Sequence, residues 1–302
     1  MLYLKNKNFS WFKICKSIVR RGRAKLSLPI KFLNEMFCLI LKGKKAIPLR
    51  YFSAKKNVGD ALNVYLVENI SRRSVVEIKS SWVPHVLGVG SIMHLGSSKS
   101  VVWGSGVIDE PQIPNSRIIK KMKFSAVRGV KTRNLISEVL GKKLSCPLGD
   151  PAVLMPFFYT PTTKKKYRLG VVPHYVDKNT SAFTNFLSES GAKIVDVELP
   201  VEKFINELAE CDVVVSSSLH GLILSDAYDI PNIWVRFSNG VIGGNFKFLD
   251  YYSTTDSMTS SPVDLSVGDF IGKDLDSLVS KAKVALFVEN KKLLLDAFPS
   301  RL

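Results

Sequence analysis

From residue 47 onward, short apolar runs alternate with stretches of helical periodicity. Residues 47–52 read as a first strand, followed by a polar turn and a helix beginning near Asp60. The runs at 86–89 and 100–103 are short, apolar and close to Gly, as buried parallel strands are. A strand at 124–127 leads into a helix over 130–140 that Gly141 stops. The second half restarts with strand 168–172, helix 181–189, strand 193–197, helix 201–209, strand 212–216, helix 221–228 and strand 232–235. Strands separated by helices imply right-handed crossovers and a parallel sheet in each half. Pro156, Pro161 and the triplet Lys164-Lys165-Lys166 mark a linker over 156–166. A last helical pattern, 275–295, reads as a C-terminal helix laid across both halves. The expected fold is α/β, with two Rossmann-like doubly wound domains, 46–157 and 165–302, facing a cleft. Ligands bind such sheets at the carboxyl ends of their strands.

Charge changes the picture at the N-terminus. The chain carries a formal +17, yet thirteen of its 43 Lys+Arg and only one of its 26 Asp+Glu, Glu35, fall in residues 1–50. Residues 1–45 therefore form a basic extension on a nearly balanced body. Trp11, Phe12, Cys15, Ile18 and Val19 recur at helical spacing, and Leu33, Met36, Phe37, Ile40 and Leu41 repeat the pattern after Pro29. Two amphipathic helices with basic flanks suit an anionic membrane surface. The alternative is that the second helix packs on the body and the rest is a solvated arm. Nothing in the body resembles a nucleic-acid module, and no nucleic-acid partner is expected. No apolar run is long enough to span a membrane, and the run at 36–41 is too short and too deep for a signal peptide. Cys15, Cys38, Cys146 and Cys211 form no CxxC pair, which favours reduced thiols and a cytoplasmic setting and disfavours structural zinc.

Several motifs stand at the expected strand ends. In Asn57-Val58-Gly59-Asp60-Ala61-Leu62-Asn63, Gly59 permits a tight turn and Asp60 can cap the next helix, leaving amides open to an anion. Gly88-Val89-Gly90-Ser91 and Gly104-Ser105-Gly106 are Gly-rich turns of the kind that cradle phosphate, though neither is a full GxGxxG. Val127-Arg128-Gly129 puts a guanidinium at a strand end, suited to an anionic ligand or equally to a structural salt bridge. Ser216-Ser217-Ser218-Leu219-His220-Gly221 follows the apolar Val213-Val214-Val215 and sets His220 at a helix N-terminus. His174, in Val172-Pro173-His174-Tyr175, ends the preceding strand, so both histidines can face one ligand. His85 and His94 read as structural.

These segments occur in a familiar order. With Gly149-Asp150-Pro151-Ala152 and Phe246-Lys247-Phe248-Leu249-Asp250-Tyr251, they resemble the polysaccharide pyruvyl transferase family, in particular its exopolysaccharide-type branch, over about residues 47–255. The resemblance implies a fold similar to two-domain GT-B glycosyltransferases. It also implies transfer of a pyruvyl group from phosphoenolpyruvate onto two hydroxyls of a sugar in a bacterial surface or exopolysaccharide, forming a cyclic ketal.

That chemistry assigns roles. Proton delivery to carbon 3 needs a general acid titrating near neutrality, and His220 matches the family's histidine. Asp60 can orient or deprotonate an acceptor hydroxyl. Arg128 matches the family's arginine and would clamp the donor anion. Many family members have Arg where this chain has Ser218, so Lys247 or Arg236 is expected to supply the missing cation. Leu219, Gly221, Gly59 and His174 complete the expected substrate contacts. No metal site and no cofactor are expected, phosphoenolpyruvate being the donor substrate. The other implied partner is a saccharide acceptor, lipid-linked if assembly takes place at the cytoplasmic face of the inner membrane, where the basic extension would hold the enzyme peripherally. The alternatives are a nucleotide-sugar glycosyltransferase of GT-B fold and a non-catalytic component of a polysaccharide-synthesis complex.

Overall fold

The structure is a computed structural model that describes residues 28–43, 46–266 and 275–302. The first amphipathic stretch, around Trp11 to Val19, lies outside the described residues. The chain enters through α1 (Leu28–Lys42). The first domain then places β1 (Ala46–Leu49), α2 (Val58–Ser71), β2 (Ser74–Glu77), β3 (His85–Leu87), β4 (Ser100–Trp103), β5 (Lys123–Ala126) and α3 (Val130–Leu140). The second domain places β6 (Tyr167–Val172), α4 (Ser181–Ser190), β7 (Lys193–Ile194), α5 (Val201–Ala209), β8 (Cys211–Ser216), α6 (Leu219–Ala227), β9 (Asn232–Arg236), α7 (Phe246–Tyr252) and β10 (Val263–Asp264). Two short helices, α8 (Leu275–Val279) and α9 (Lys291–Asp296), follow.

Each domain is a five-stranded parallel sheet. The first runs β2-β1-β3-β4-β5 and the second β10-β9-β8-β6-β7. Read from the second strand of each half, both follow the same order, with the chain reversing direction between β1 and β3 and between β6 and β8. At such a reversal the two connecting helices leave on opposite faces, and the gap between them at the carboxyl ends is a ligand crevice. Each domain therefore brings one crevice to the cleft.

The sheets are built from runs buried on both faces: Ile47 and Leu49 on β1, Val86 and Leu87 on β3, Val214 and Val215 on β8. The segment expected as a linker begins inside a 3-10 turn, Pro151–Phe157, whose Ala152, Val153, Leu154 and Met155 are buried in the core shared by both domains. Beyond it, Tyr159 is pinned: its carbonyl accepts from Tyr228 Oη at 2.8 Å and its hydroxyl from Asn206 Nδ2 at 2.7 Å. The apolar side chains between the prolines anchor this crossing.

Other expectations are corrected. The pattern at 275–295 is not one helix but α8 and α9, separated by an extended stretch that bridges Lys283 to Asn232 and Phe287 to Thr255. Asn290 breaks it by capping α9, its side chain accepting from Leu293 N, a role Asn prefers to a helix interior. The terminus does cross to the first domain, where Trp103 Nε1 donates to Leu294 O at 2.8 Å. The strand expected at 193–197 is only Lys193–Ile194, and β2 and β10, short and mixed in polarity, carry too little pattern to be read. Helix α2 is capped by Asn57, which accepts from Gly59 N at 2.9 Å, not by Asp60. Asp60 thus sits inside the first turn with its carboxylate free for other contacts.

Candidate active site

Both crevices open on one chamber of about 260 Å³. The loop after β1 contributes Lys55, Asn57, Gly59 and Asp60, and that after β3 contributes Gly90 and Ser91. From the second domain come His174 after β6, Ser218 to His220 after β8, and Lys247 on α7.

His220 lies where the two helix N-termini meet. A Cβ built on Gly59 would stand 2.1 Å from His220 Nδ1, so the imidazole rests directly on the first turn of α2. Its own first turn, α6, is bedded equally closely: a Cβ on Gly221 would meet Ser216 Oγ at 2.3 Å. Each glycine is therefore fixed by close approach, one clearing the ring and the other seating its helix. On its other edge, His220 Nε2 is buried, makes no hydrogen bond, and lies 3.7 Å from Asp150 Oδ2. Asp150 is fully buried and immobile, with Oδ1 accepting from Ala152 N and Oδ2 from Gly90 N. A protonated imidazole would gain an ion pair there, which a neutral one lacks.

The flanking groups have shifted acidities. Burial raises Asp60 to about 6, against the opposing pull of His220. Burial lowers Lys247 to about 8, with the Arg128 charge adding to the effect and Asp177 opposing it. Lys247 is 7% exposed and makes no salt bridge among the described residues. It is a desolvated cation facing the chamber, with Lys55 nearby over the Tyr175 ring at 4.5 Å. His174 is pushed down to about 3, by burial first and then by Lys247 and Lys55, so it is neutral and serves as a hydrogen-bonding wall. That wall is tied together by Asp177, which accepts from Ser217 Oγ at 2.7 Å and from Ser238 Oγ, while Ser217 Oγ accepts from His174 N.

Of the residues expected from sequence, His220, Asp60, Lys247, His174, Ser218, Leu219 and Gly59 come together here. Gly221 lies behind the wall, and two residues lie elsewhere. Arg128 is wholly buried: Nε donates to Asp250 Oδ2 at 2.8 Å, Nη2 to Val107 O at 2.7 Å and Nη1 to Ser91 Oγ. It does not line the chamber, although its Nη1 reaches the chamber-lining Ser91, and the structural salt bridge is the arrangement present. Arg236 pairs with Asp264 at the sheet edge and does not line the chamber. The second Gly-rich turn is explained by packing, since a Cβ on Gly106 would strike the Arg128 guanidinium at 2.2 Å, whereas Gly90 and Ser91 of the first line the chamber. Sequence reasoning used Asp150 only as part of the Gly149-Asp150-Pro151-Ala152 motif and gave it no role, passed over Lys55 and read His94 as structural, whereas Lys55 and His94 line the chamber. Among the described residues no group of His, Cys, Asp and Glu has metal-binding geometry.

The family model for polysaccharide pyruvyl transferase matches residues 57–239, which span α2 to the loop beyond β9. An uncharacterised protein of Acanthamoeba polyphaga mimivirus is 32% identical over 222 residues, covering 70% of this chain and 75% of that one. The succinoglycan biosynthesis protein ExoV of Rhizobium meliloti is 24% identical over 214 residues, covering 68% of this chain and 64% of that one. A functionally uncharacterised Klebsiella pneumoniae protein of known structure aligns at TM-score 0.42 and 14% identity, over 76% of this chain and 94% of that one. With the match running through both walls of the chamber, the chain belongs to the polysaccharide pyruvyl transferase family.

Proposed function

We propose that this protein transfers the pyruvyl group of phosphoenolpyruvate onto two hydroxyls of a saccharide, with His220 as general acid. The observation that carries this reading is His220 itself, seated between two helix N-termini and opposite the buried Asp150, beside the desolvated Lys247. Phosphoenolpyruvate needs an anion site and a proton donor at one point. Lys247, Lys55 and the amides at the start of α6 hold the phosphate and carboxylate, those of α2 being taken by Asn57 and Val197. His220, facing Asp150, delivers a proton to carbon 3 while a sugar oxygen attacks carbon 2. Asp60, raised to about 6 and ionised at neutral pH, takes the hydroxyl proton. Departure of phosphate and attack by the second hydroxyl close the ketal. The acceptor gains pyruvic acid less one water, and one inorganic phosphate is released.

The acceptor approaches through the adjoining groove of about 760 Å³, which shares Phe52, Lys55, Asn57 and Asp60 with the chamber. Tyr51, Phe52 and Tyr65 offer ring faces there, and Glu202 and Glu68 offer carboxylates, a mixture suited to sugar faces and hydroxyls. Incubation with phosphoenolpyruvate and candidate saccharides, followed by mass measurement, tests the reading. Phosphate release without the ketal mass would refute it, and so would stabilisation by nucleotide sugars but not by phosphoenolpyruvate in thermal-shift titration.

Two further results are expected. The kcat/KM for phosphoenolpyruvate should fall below pH about 6 as Asp60 is protonated, and above about 8 as Lys247 loses its charge. Lys247→Met should move the alkaline limb away from pH about 8 and raise KM about tenfold to a hundredfold, as loss of one charge-assisted hydrogen bond does. A limb that stays in place in the variant belongs to another group. Gly59→Ala should displace the imidazole and lower kcat about a hundredfold, the usual cost of an ångström-scale misplacement. Wild-type kcat in that variant would show that Gly59 does not set the ring's position.

A further inference from the structure

Helix α1 has two apolar faces, and only one of them is used. Phe32, Met36 and Leu39 pack against Ala46, Val76, Ile78 and Val83 of the first domain. Glu35 goes with them: it is 8% exposed and accepts from Lys79 N at 2.8 Å and Ser80 N at 3.1 Å. On the opposite side Ile30, Leu33, Phe37, Ile40 and Leu41 are exposed, Ile40 by 71% and Leu33 by 62%. Their spacing aligns them in one stripe along the helix, where a surface helix is ordinarily polar. Trp82, itself 55% exposed, stands edge-on to Phe32 at 5.4 Å and flanks the helix.

Along the sequence, the charge that flanks this stripe is of one sign apart from Glu35. The only acid among the first fifty residues is the inward-facing Glu35, whereas Lys31 and Lys42 are exposed on the helix. The sequence before α1 adds eight Lys/Arg and no acid, and Lys44 and Lys45 follow it. Apolar side chains fringed by Lys31 and Lys42, in a segment of sequence this cationic, match an anionic lipid surface, which offers an acyl boundary and phosphates together. A second copy of the chain is disfavoured, since docking stripe to stripe would bring two such cationic fringes into contact.

We propose that the outer face of α1 docks this protein on anionic bilayers, with Leu33, Phe37 and Ile40 at the acyl boundary and Trp82 at the headgroups. None of the stripe's residues, nor Trp82, lines the chamber, so docking is independent of the chemistry proposed there. Full-length protein should co-sediment with phosphatidylcholine vesicles containing phosphatidylserine at low salt and bind pure phosphatidylcholine far more weakly. Salt should weaken the binding without abolishing it, because apolar contacts are not screened. Leu33→Ser, Phe37→Ser and Ile40→Ser combined should weaken it at least about tenfold, three buried apolar side chains being lost. That variant should keep the wild-type melting temperature and its phosphate release with a soluble acceptor. Failure of the full-length protein to bind anionic vesicles at low salt overturns the proposal. Unaltered binding by the triple variant overturns it too, because charge alone then suffices. So does a wild-type dimer that the triple variant converts to monomer, which would assign the stripe to a second copy.

Discussion

His220→Asn is expected to lower kcat by about 10²–10⁴-fold, the usual loss when a general acid is removed. The structure gives a reason to expect that loss with the fold preserved. His220 Nε2 makes no hydrogen bond, so its removal orphans no partner, and both oxygens of Asp150 remain bonded to Gly90 N and Ala152 N. Melting should therefore stay cooperative and close to wild type. A second readout separates a catalytic role from a steric one. The charge of His220 holds Asp60 below the value burial alone would give, so the variant's residual activity should lose its acid limb at a pH above about 6. Near-normal turnover would remove His220 from the mechanism, and an unmoved limb would uncouple it from Asp60.

Much of this site was legible because its chemistry sits beside sequence punctuation. The loops after β1 and β8 each couple a small-residue turn to a helix start, so Gly59, Asp60 and His220 could be placed at strand ends before any contact was known. What the sequence did not show is that the two turns meet. Gly59 reads as a turn former, but its reason lies in the ring of His220, more than 150 residues away. The role of Asp150 was hidden for the same reason: its Gly-Asp-Pro-Ala motif is legible, but only the fold brings its second oxygen toward an imidazole. Eight of the ten strands among the described residues were read in order, while β2 and β10 were missed where pattern was thin. A four-residue strand such as Ser74–Glu77 has too few positions to declare a period. The helix over 275–295 failed because Asn290 and the β-bridging stretch before it override a periodicity that tertiary contacts do not use.

Arg128 is where sequence chemistry and structure part most clearly, and it yields a large expected effect on stability. A guanidinium at a strand end suits an anionic donor, yet this one is spent inside the protein. Asp250, on α7 of the second domain, accepts from Arg128 Nε and Thr132 Oγ1 through Oδ2 and from Thr132 N through Oδ1. Both partners of the pair are fully buried. Arg128→Met would leave the Asp250 charge buried without its counterion, which costs about 3–5 kcal/mol. For a chain of this size, that corresponds to a fall in melting temperature on the order of 10 °C. Arg128→Lys should recover only part of the loss, since an ammonium cannot serve Asp250, Ser91 and Val107 from one planar fork. Pairing Arg128→Met with Asp250→Leu should restore more stability than either single change retains, because no uncompensated charge then remains. Differential scanning calorimetry beside KM measurement decides between the two roles. If Arg128→Lys raises KM for phosphoenolpyruvate at an unchanged melting temperature, the guanidinium is a donor clamp. A lowered melting temperature with KM preserved makes it the pin that holds α7 of the second domain against the first.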